Sequence, residues 1–260
     1  MSAGRVHLEV DGPIATITND NPDKHNAFDD AMDAELWAIL GELRERRDLR
    51  AVVWRAEGRS WSSGRDVSAL GGEQVDLSHH ELMSRGHRGI LQVLDIEAPI
   101  IVALKGWVIG GSFQRALVCD VRVAAEGTRM LLPEVGHGVI PDTGGMGRLY
   151  QMAGHGLVSD MVLTGRVLEA DEALAHGVVS RIVAPDELDA TCREMAERVA
   201  AAPAVTVKMA RRVIRHLSEP TLRSSMDEEL IAQTFVNRSD DLAEKRAAEA
   251  EGRAPRYTGS

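Results

Sequence analysis

The sequence predicts a mixed α/β fold in which a spiral sheet of repeated strand and helix units precedes a C-terminal helical region. In the first part of the chain, short apolar strands alternate with helical segments, a pattern typical of a layered α/β core. From Pro185 onward the sequence is rich in charge, and helical spacing replaces the strand pattern. We therefore expect a core at residues 1–185 and helices at residues 186–260.

The core begins with two strands and a helix. Side chains alternate over Val6–Val10 and Ile14–Thr18, and Ala27–Arg46 then carries apolar residues at helical spacing. Strands and helices recur after this unit, and their irregular repetition favours a wound or spiral sheet. The later predicted elements are strand Ala51–Arg55, helix Leu82–Leu94, strand Pro99–Leu104, helix Gly111–Cys119 and the strands Val121–Ala124, Arg129–Leu132 and Val179–Val183.

Helices are expected throughout the C-terminal region, with Pro203 and Pro220 as breaks between them. The predicted helices are Asp186–Ala201, Ala204–Leu217, Glu219–Asn237 and Asp240–Gly252. Apolar side chains such as Leu222, Met226 and Phe235 form faces that either fold back on the core or pack between subunits.

The composition argues against several classes of partner. The 260 residues are 44% hydrophobic, enough to bury one sizeable core, and the net charge of -10 disfavours a nucleic-acid-binding surface. The longest apolar stretches are far shorter than the roughly 20 residues of a membrane helix, and we find no signal peptide. Cys119 and Cys192 lack the spacing of a disulfide framework or a zinc site. We expect a cytoplasmic protein without nucleic-acid or membrane partners.

Two glycine-containing stretches are candidate ligand sites. Residues 61–67 form a polar turn in which small residues would let a ligand approach the backbone, although an ordinary surface turn explains the same pattern. In residues 106–114, adjacent glycines stand between a strand and a helix. Such a helix start exposes unpaired N–H groups that favour a phosphate or the oxyanion of a thioester carbonyl. A tight turn before a buried helix is the alternative explanation.

A third stretch, residues 132–145, places Glu134 and Asp142 among apolar residues and glycines. Removal from water raises the pKa of a carboxyl group towards neutral pH, so two such groups could exchange protons with a carbon acid. Structural roles explain the same residues, because Glu134 follows a proline at a probable helix start and Asp142 could cap the next helix.

In this order, the three stretches resemble the crotonase (enoyl-CoA hydratase/isomerase) superfamily. Residues 21–27 resemble the segment that precedes the family's first long helix, and residues 163–179 resemble its Leu-Thr-Gly to Gly-Leu-Val segment. The resemblance covers nearly the whole chain. It implies a crotonase-like spiral of strand-strand-helix units, a C-terminal helical oligomerisation region, and a homotrimer or dimer of trimers.

The resemblance also implies an oxyanion hole for the thioester carbonyl, formed by the backbone N–H groups of Arg65 and Gly111. Each such donor contributes roughly 10²–10³ in rate. Arg65 stands where the family more often has a small residue, so its side chain is expected to narrow the pocket or reach a CoA phosphate. Contacts with the substrate or with CoA are implied for Lys24, Asn26, Ser63, Gly64, Asp66, Gly110 and Phe235. Phe235 would contact the CoA adenine from a neighbouring subunit, whereas Glu249 occupies another, usually aromatic, position.

The catalytic positions of the family are occupied unusually. Its hydratase branch has two glutamates where this chain has Gln114 and Glu134, and a carboxamide cannot accept a proton at neutral pH. In the isomerase branch, one carboxylate moves a proton between carbons. Asp142 matches an acid of the dienoyl-CoA isomerases, although these have an aspartate at the Gln114 position. Our hypothesis is proton transfer by Glu134, assisted by Asp142, in an enzyme of fatty acid metabolism.

Two alternatives stay open from the sequence. A divergent hydrolase, lyase or dehalogenase-like enzyme would use Asp142 as base or nucleophile on a cyclic acyl-CoA. A protein that kept the fold and lost the glutamate at position 114 would bind acyl-CoA without chemistry, or serve as a scaffold. In the catalytic cases we expect no metal and no bound cofactor, because coenzyme A is part of the substrate.

Overall fold

The computed structural model describes residues 4–66 and 79–259, which form nine strands and eight α-helices in that part of the chain. The strands are β1 (Arg5–Asp11), β2 (Ile14–Asp20), β3 (Ala51–Ala56), β4 (Ile100–Leu104), β5 (Trp107–Ile109), β6 (Val121–Ala125), β7 (Arg129–Leu131), β8 (Leu168–Glu169) and β9 (Arg181–Val183). The helices are α1 (Asp30–Glu45), α2 (His79–Asp95), α3 (Gly110–Val118), α4 (Gly145–Thr164), α5 (Ala170–Ala175), α6 (Leu188–Ala201), α7 (Ala204–Val236) and α8 (Asp240–Glu251).

The strands form two sheets that the chain visits in turn. A six-stranded sheet has the order β1-β2-β3-β4-β6-β9, in which β1 and β2 are antiparallel and the other neighbours are parallel. A three-stranded sheet has the order β5-β7-β8. Strands β4 and β6 belong to the larger sheet, and the strands that follow them in the chain, β5 and β7, belong to the smaller one. The chain therefore alternates between the two sheets as the strand-strand-helix unit repeats. The predicted α/β architecture is confirmed.

Both faces of the larger sheet are covered. Every residue of β4 is buried, as expected for a parallel strand between two layers. The main core lies on the face towards α1, α2 and α3, and Trp54, Leu36 and Phe113 are among its fully buried side chains. On the opposite face, α6 packs on β3 and β4 through Leu188 and Cys192. The predicted domain boundary at residue 185 stays a prediction. Helix α6, which follows it, packs directly on the larger sheet.

The predicted break at Pro220 is wrong, because α7 runs through this residue as one helix of 33 residues. Proline removes one backbone hydrogen bond from a helix interior. Beyond it, the buried side chains of Leu222 and Met226 join the main core, and this packing holds the second half of the helix in line. Phe235, near the end of α7, is 76% exposed.

Other differences from the predicted elements are local. Helix α1 starts at Asp30 instead of Ala27, because Asp29 caps it by accepting a hydrogen bond from Met32 N and Phe28 pairs with another segment. The short strand β8 was not predicted. In the described ranges, no helix combines the length and apolar character that a membrane crossing needs.

Arg122 on β6 secures the C-terminal end of α3. Its guanidinium is buried and donates to the carbonyl oxygens of Cys119 at 2.7 Å and Val178 at 2.6 Å, with longer contacts to those of Ala116 and Leu117. Burial lowers the pKa of Arg122 to about 10. The last carbonyl groups of a helix have no intrahelical hydrogen-bond donors, and the Arg122 side chain provides donors for those of α3.

We expect Arg122→Met to lower the free energy of unfolding by about 1–3 kcal/mol, because buried carbonyl groups lose their donors. Urea denaturation followed by circular dichroism measures this change. The same substitution at Arg246, which is exposed on α8, is the control and should stay within about 0.5 kcal/mol of the parent protein. Equal stability of the two variants would contradict the role of Arg122.

Candidate active site

The two glycine-containing stretches lie side by side because their backbones extend the smaller sheet. Ser62 N donates to Trp107 O at 3.1 Å, and Ile109 N donates to Ser62 O at 3.0 Å. Ser62 and Ser112 also share a hydrogen bond between their buried hydroxyl groups at 2.8 Å. Residues 62 and 112 thus join the stretch that contains Arg65 to the start of α3.

Gly64 is required by this close approach. Its φ is +90°, and a Cβ atom at this position would lie 2.8 Å from Ile109 O. The Gly64 carbonyl accepts a hydrogen bond from Phe28 N at 2.8 Å. Because the carbonyl and the N–H of one peptide unit point in opposite directions, this bond aims the N–H of Arg65 away from Phe28.

Both main-chain groups predicted for the oxyanion hole are free to donate. Helix α3 begins at Gly110, so the N–H of Gly111 belongs to its first turn and has no intrahelical acceptor. Gly110 has a φ of +57°, a conformation that glycine adopts readily. Among the described residues, neither the N–H of Arg65 nor that of Gly111 has a hydrogen-bond acceptor. The helix dipole adds partial positive charge at this point.

Glu134 lies beside the start of α3. A Cβ atom at Gly110 would be 3.3 Å from Glu134 Oε1, and this oxygen accepts a hydrogen bond from Gln114 Nε2 at 2.9 Å. The other oxygen, Oε2, is buried and has no partner in the described part of the chain. Burial raises the pKa of Glu134 to about 7, opposed by hydrogen bonds from a backbone N–H and from Gln114. The group can therefore gain or lose a proton near neutral pH.

Gln114 connects this carboxylate to the turn before α4. Its Oε1 accepts hydrogen bonds from Thr143 N at 2.9 Å and Gly145 N at 3.2 Å. The side chain is buried and its carboxamide faces Glu134 with the donor end. Gln114 therefore orients Glu134, and its oxygen is already occupied by backbone donors.

Asp142 lies in the same turn. Burial raises the pKa of Asp142 to about 6, and the negative charge of Asp142 in turn contributes to the raised pKa of Glu134. Asp142 does not cap α4, whose N-cap residue is Gly144 in a left-handed conformation. The structure thus brings Gln114, Glu134 and Asp142 into one electrostatic cluster.

Glu229 and Gln233 on α7 belong to this site and were missed from the sequence. Glu229 accepts hydrogen bonds from Gly144 N at 2.6 Å and Ser225 Oγ at 3.0 Å, and Gln233 accepts one from Ile140 N at 2.7 Å. Burial raises the pKa of Glu229 to about 7. One signal was present: both polar residues lie on the helix face that also carries the buried Leu222 and Met226.

The side chain of Arg65 is paired with two carboxylates of α1. Its guanidinium donates to Asp30 Oδ1 at 2.7 Å and to Asp33 Oδ2 at 3.0 Å. Both carboxylates belong to α1, so the charge of Arg65 is neutralised on the side of that helix. The expectation that this side chain narrows the pocket or reaches a CoA phosphate stays a prediction.

The remaining predicted binding residues fall into two groups. Asn26 is fully buried, and its side chain bonds to the backbone of Asn21, Glu57 and Ser60, so it holds the turn. Lys24 is half-exposed and pairs with Asp66 at 2.7 Å. Ser63 donates through its hydroxyl to the carbonyl of Lys24 at 3.2 Å. Contacts of Lys24, Ser63, Asp66 and Phe235 with CoA stay predictions.

A cavity of about 670 Å³ lies elsewhere, between the end of α2 and α7. Its wall contains arginines that are already paired with acidic groups, such as Arg211 with Asp120 and Arg223 with Glu219. Its wall does not include Glu134, Asp142 or Glu229. Within residues 4–66 and 79–259, no cluster of histidine, cysteine and acidic side chains is arranged to hold a metal ion.

Comparison with known proteins agrees with this geometry. Residues 9–260 match the family described as enoyl-CoA hydratase/isomerase. A carnitinyl-CoA dehydratase from Salmonella typhi is 33% identical over 263 residues, which cover 98% of each chain. The crystal structure of an enoyl-CoA hydratase/isomerase from Pseudoalteromonas atlantica T6c is similar with a TM-score of 0.86 and 27% identity, covering 97% of this chain and 99% of that one. An enoyl-CoA hydratase from Bacillus anthracis has a TM-score of 0.76 and 26% identity over 98% and 99% of the two chains.

The raised pKa values predict how Glu229 affects stability. The folded protein keeps the proton on this carboxyl up to about pH 7, whereas an unfolded chain loses it near pH 4.5. The unfolded state therefore binds fewer protons in this range, and the contribution of Glu229 to stability falls as pH rises. The free energy of unfolding of Glu229→Gln, relative to that of the parent protein, should therefore rise by roughly 1–3 kcal/mol between pH 5 and pH 8, since glutamine stays neutral.

Urea denaturation of both proteins at several pH values measures this difference. Glu228→Gln, at the exposed neighbouring position on α7, is the control and should show no such trend. If the stability difference is constant across the pH range, burial does not raise the pKa of Glu229.

Proposed function

The chain belongs to the enoyl-CoA hydratase/isomerase family, and on this premise we propose that it forms the enolate of an unsaturated acyl-CoA and moves protons on it through Glu134, with Asp142 as the second group. The family match supports an enzyme of the lyase or isomerase type acting on an acyl-CoA. The observation that carries the proposal is the position of Glu134. Its Oε1 would lie 3.3 Å from a Cβ atom at Gly110, the first residue of α3, and its buried Oε2 has no partner among the described residues.

In the proposed reaction, the thioester carbonyl accepts hydrogen bonds from Arg65 N and Gly111 N. These donors stabilise the negative charge that develops on the oxygen, which makes the hydrogens on the neighbouring carbons acidic. Glu134 removes a proton from one carbon and returns it to another, so the double bond moves. A pKa near 7 suits both steps, because the same group must act as base and then as acid.

Hydration by the glutamate pair of the hydratase branch is a weaker interpretation for this chain, because one of the two positions holds Gln114. Gln114 cannot accept a proton, and its oxygen is occupied by Thr143 N and Gly145 N. Asp142 is the available second acid, because burial favours its protonated form up to about pH 6. Glu134 alone transfers the proton when one double bond moves by one position. On a dienoyl group, Asp142 would instead transfer the proton at the opposite end of the unsaturated chain.

Dehydration is a second candidate, favoured by the carnitinyl-CoA dehydratase relatives. Glu134 would remove the proton next to the thioester, the C–O bond to a hydroxyl group would break, and Asp142 would protonate the departing hydroxide to give water. The same oxyanion hole serves both reactions. A hydrolase, lyase or dehalogenase-like reaction on a cyclic acyl-CoA would instead need Asp142 as base or nucleophile.

We propose that CoA enters as part of the substrate and that the enzyme has no resident redox cofactor. Lys24 and Ser63 lie on the segments next to the oxyanion hole and are the proposed contacts for the CoA portion. Phe235 is exposed in the single chain and is proposed to contact the adenine from a neighbouring subunit.

The proposed assembly is a homotrimer or a dimer of trimers. Helix α7 presents an exposed apolar stripe, formed by Val205, Met209, Val213 and Leu217, which repeat every four residues along one side. Leu217 is 79% exposed. A soluble chain that leaves such a stripe open is expected to cover it with another subunit.

Isomerisation can be tested with 3-enoyl-, 2-enoyl-, dienoyl- and 3-hydroxyacyl-CoA in D₂O. We expect a product with a shifted double bond and incorporated deuterium. Absorbance measures the first change and mass spectrometry the second. Glu134→Gln should lower the rate by roughly 10²–10⁴, because the base is lost, and Asp142→Asn should lower it by about 10-fold.

Glu126→Gln, at an exposed position on the loop after β6, is the matched control and should keep full activity. Interconversion of 3-hydroxyacyl-CoA and 2-enoyl-CoA, without any shift of a double bond, would select dehydration. A larger loss in Asp142→Asn than in Glu134→Gln would select the reaction on a cyclic acyl-CoA. Absence of turnover with CoA binding still detectable by calorimetry would leave the non-catalytic binding protein.

The assembly can be tested by size-exclusion chromatography with light scattering. The parent protein should elute as three or six chains, and the double substitution Val213→Glu and Leu217→Glu should give single chains, because buried charges oppose association. Val10→Glu, at a half-exposed position on β1, is the control for added charge. A monomeric parent protein would overturn the proposal.

A further inference from the structure

Asp33 on α1 lies between two arginines that flank the proposed oxyanion hole. Its Oδ2 accepts a hydrogen bond from Arg65 Nη1 at 3.0 Å, and its Oδ1 accepts one from Arg115 Nη2. The residue is only 7% exposed. Each oxygen of one buried carboxylate therefore serves a different guanidinium group.

The two arginines belong to the two elements that supply the oxyanion-hole donors. Arg65 carries one donor on its own backbone. Arg115 lies four residues after Gly111 in α3, one turn further along the same side of the helix. Asp33 thus connects both elements through side chains, in addition to the backbone pairing at Ser62.

A second contact, through Phe28, connects Arg115 to the backbone around Arg65. The Arg115 guanidinium lies over the ring of Phe28, 4.6 Å from its centre. The backbone of Phe28 bonds on either side of Arg65, donating to Gly64 O and accepting from Asp66 N, both at 2.8 Å. Phe28 sets the direction of the Arg65 N–H, and Arg115 holds Phe28 in place.

We propose that Asp33 is a positioning residue, which fixes the distance and direction between the two oxyanion-hole donors by binding Arg65 and Arg115 together. The inference rests on the proposed function, since it assumes that the thioester oxygen binds these donors. It assigns a role to the arginine at position 65: its side chain anchors the peptide whose N–H meets the substrate.

Asp33→Asn tests this role with little change of shape. A carboxamide has one oxygen and an NH₂ group, so it can accept from only one arginine, and its NH₂ group meets the other guanidinium. The Asp33 clamp, which consists of the hydrogen bonds of Asp33 with Arg65 and Arg115, then loses one of its two arms. A donor displaced by a fraction of an ångström stabilises the developing charge less, although substrate still binds.

The direct readout is the infrared stretching frequency of the thioester carbonyl in a bound saturated acyl-CoA labelled with ¹³C at that carbon. In the parent enzyme, binding should lower the frequency, because the donors polarise the bond. In Asp33→Asn the shift should be smaller, with kcat lower by roughly 10–100-fold and KM changed less than roughly threefold.

Asp120→Asn is the matched control. Asp120 also binds a buried arginine, Arg211, at 2.7 Å, but at the far end of α3. This variant should keep the frequency shift and kcat even if it unfolds at a lower temperature. Arg65→Met provides a second test should Asp33→Asn fail to fold, because it removes one arm and keeps the backbone donor, and it should also show the smaller shift.

The outcomes separate the clamp from the proposed function. No frequency shift in the parent enzyme would overturn the oxyanion hole itself, and the clamp with it. A normal shift in the parent enzyme that persists in Asp33→Asn and Arg65→Met would overturn the clamp alone. A loss of thermal stability in these variants without a spectral change counts against the clamp in the same way.

Discussion

The hydrogen bonds between Ser62 and β5 are the constraint on which the rest of the site depends. They place the chain before Arg65 against the end of β5, and the missing side chain of Gly64 allows the two backbones to meet. Because α3 starts directly after β5, one pairing determines where both main-chain donors lie.

Around this fixed backbone, the fold holds three carboxyl groups in a region with little water. Glu134, Asp142 and Glu229 all have a raised pKa, caused chiefly by burial. Backbone N–H groups near the start of α4 offset part of the cost for Glu229, and Gln114 does so for Glu134. Helix α7 is therefore part of the wall of the candidate site.

The sequence predicted those features that depend on local pattern. Continuous apolar residues indicated β4, and adjacent glycines indicated the start of α3 and its free N–H groups. The break at Pro220 was wrong because packing of Leu222 and Met226 outweighs one lost hydrogen bond. The roles of Glu229 and of the Arg65 side chain could not be predicted, since their partners are distant in sequence: Gly144 for the first, and Asp30 and Asp33 on α1 for the second.

Helix α3 has nine residues, and the chain completes only one of its ends. Arg122 satisfies the carbonyl groups at the C-terminal end, whereas the N–H groups of the first turn face the site without a side-chain cap. In the proposed reaction, an acyl oxygen that binds there takes the place of the missing side-chain cap. The ligand then supplies the last piece of a secondary-structure element, and the atom that completes the helix is the one whose negative charge grows as the reaction proceeds.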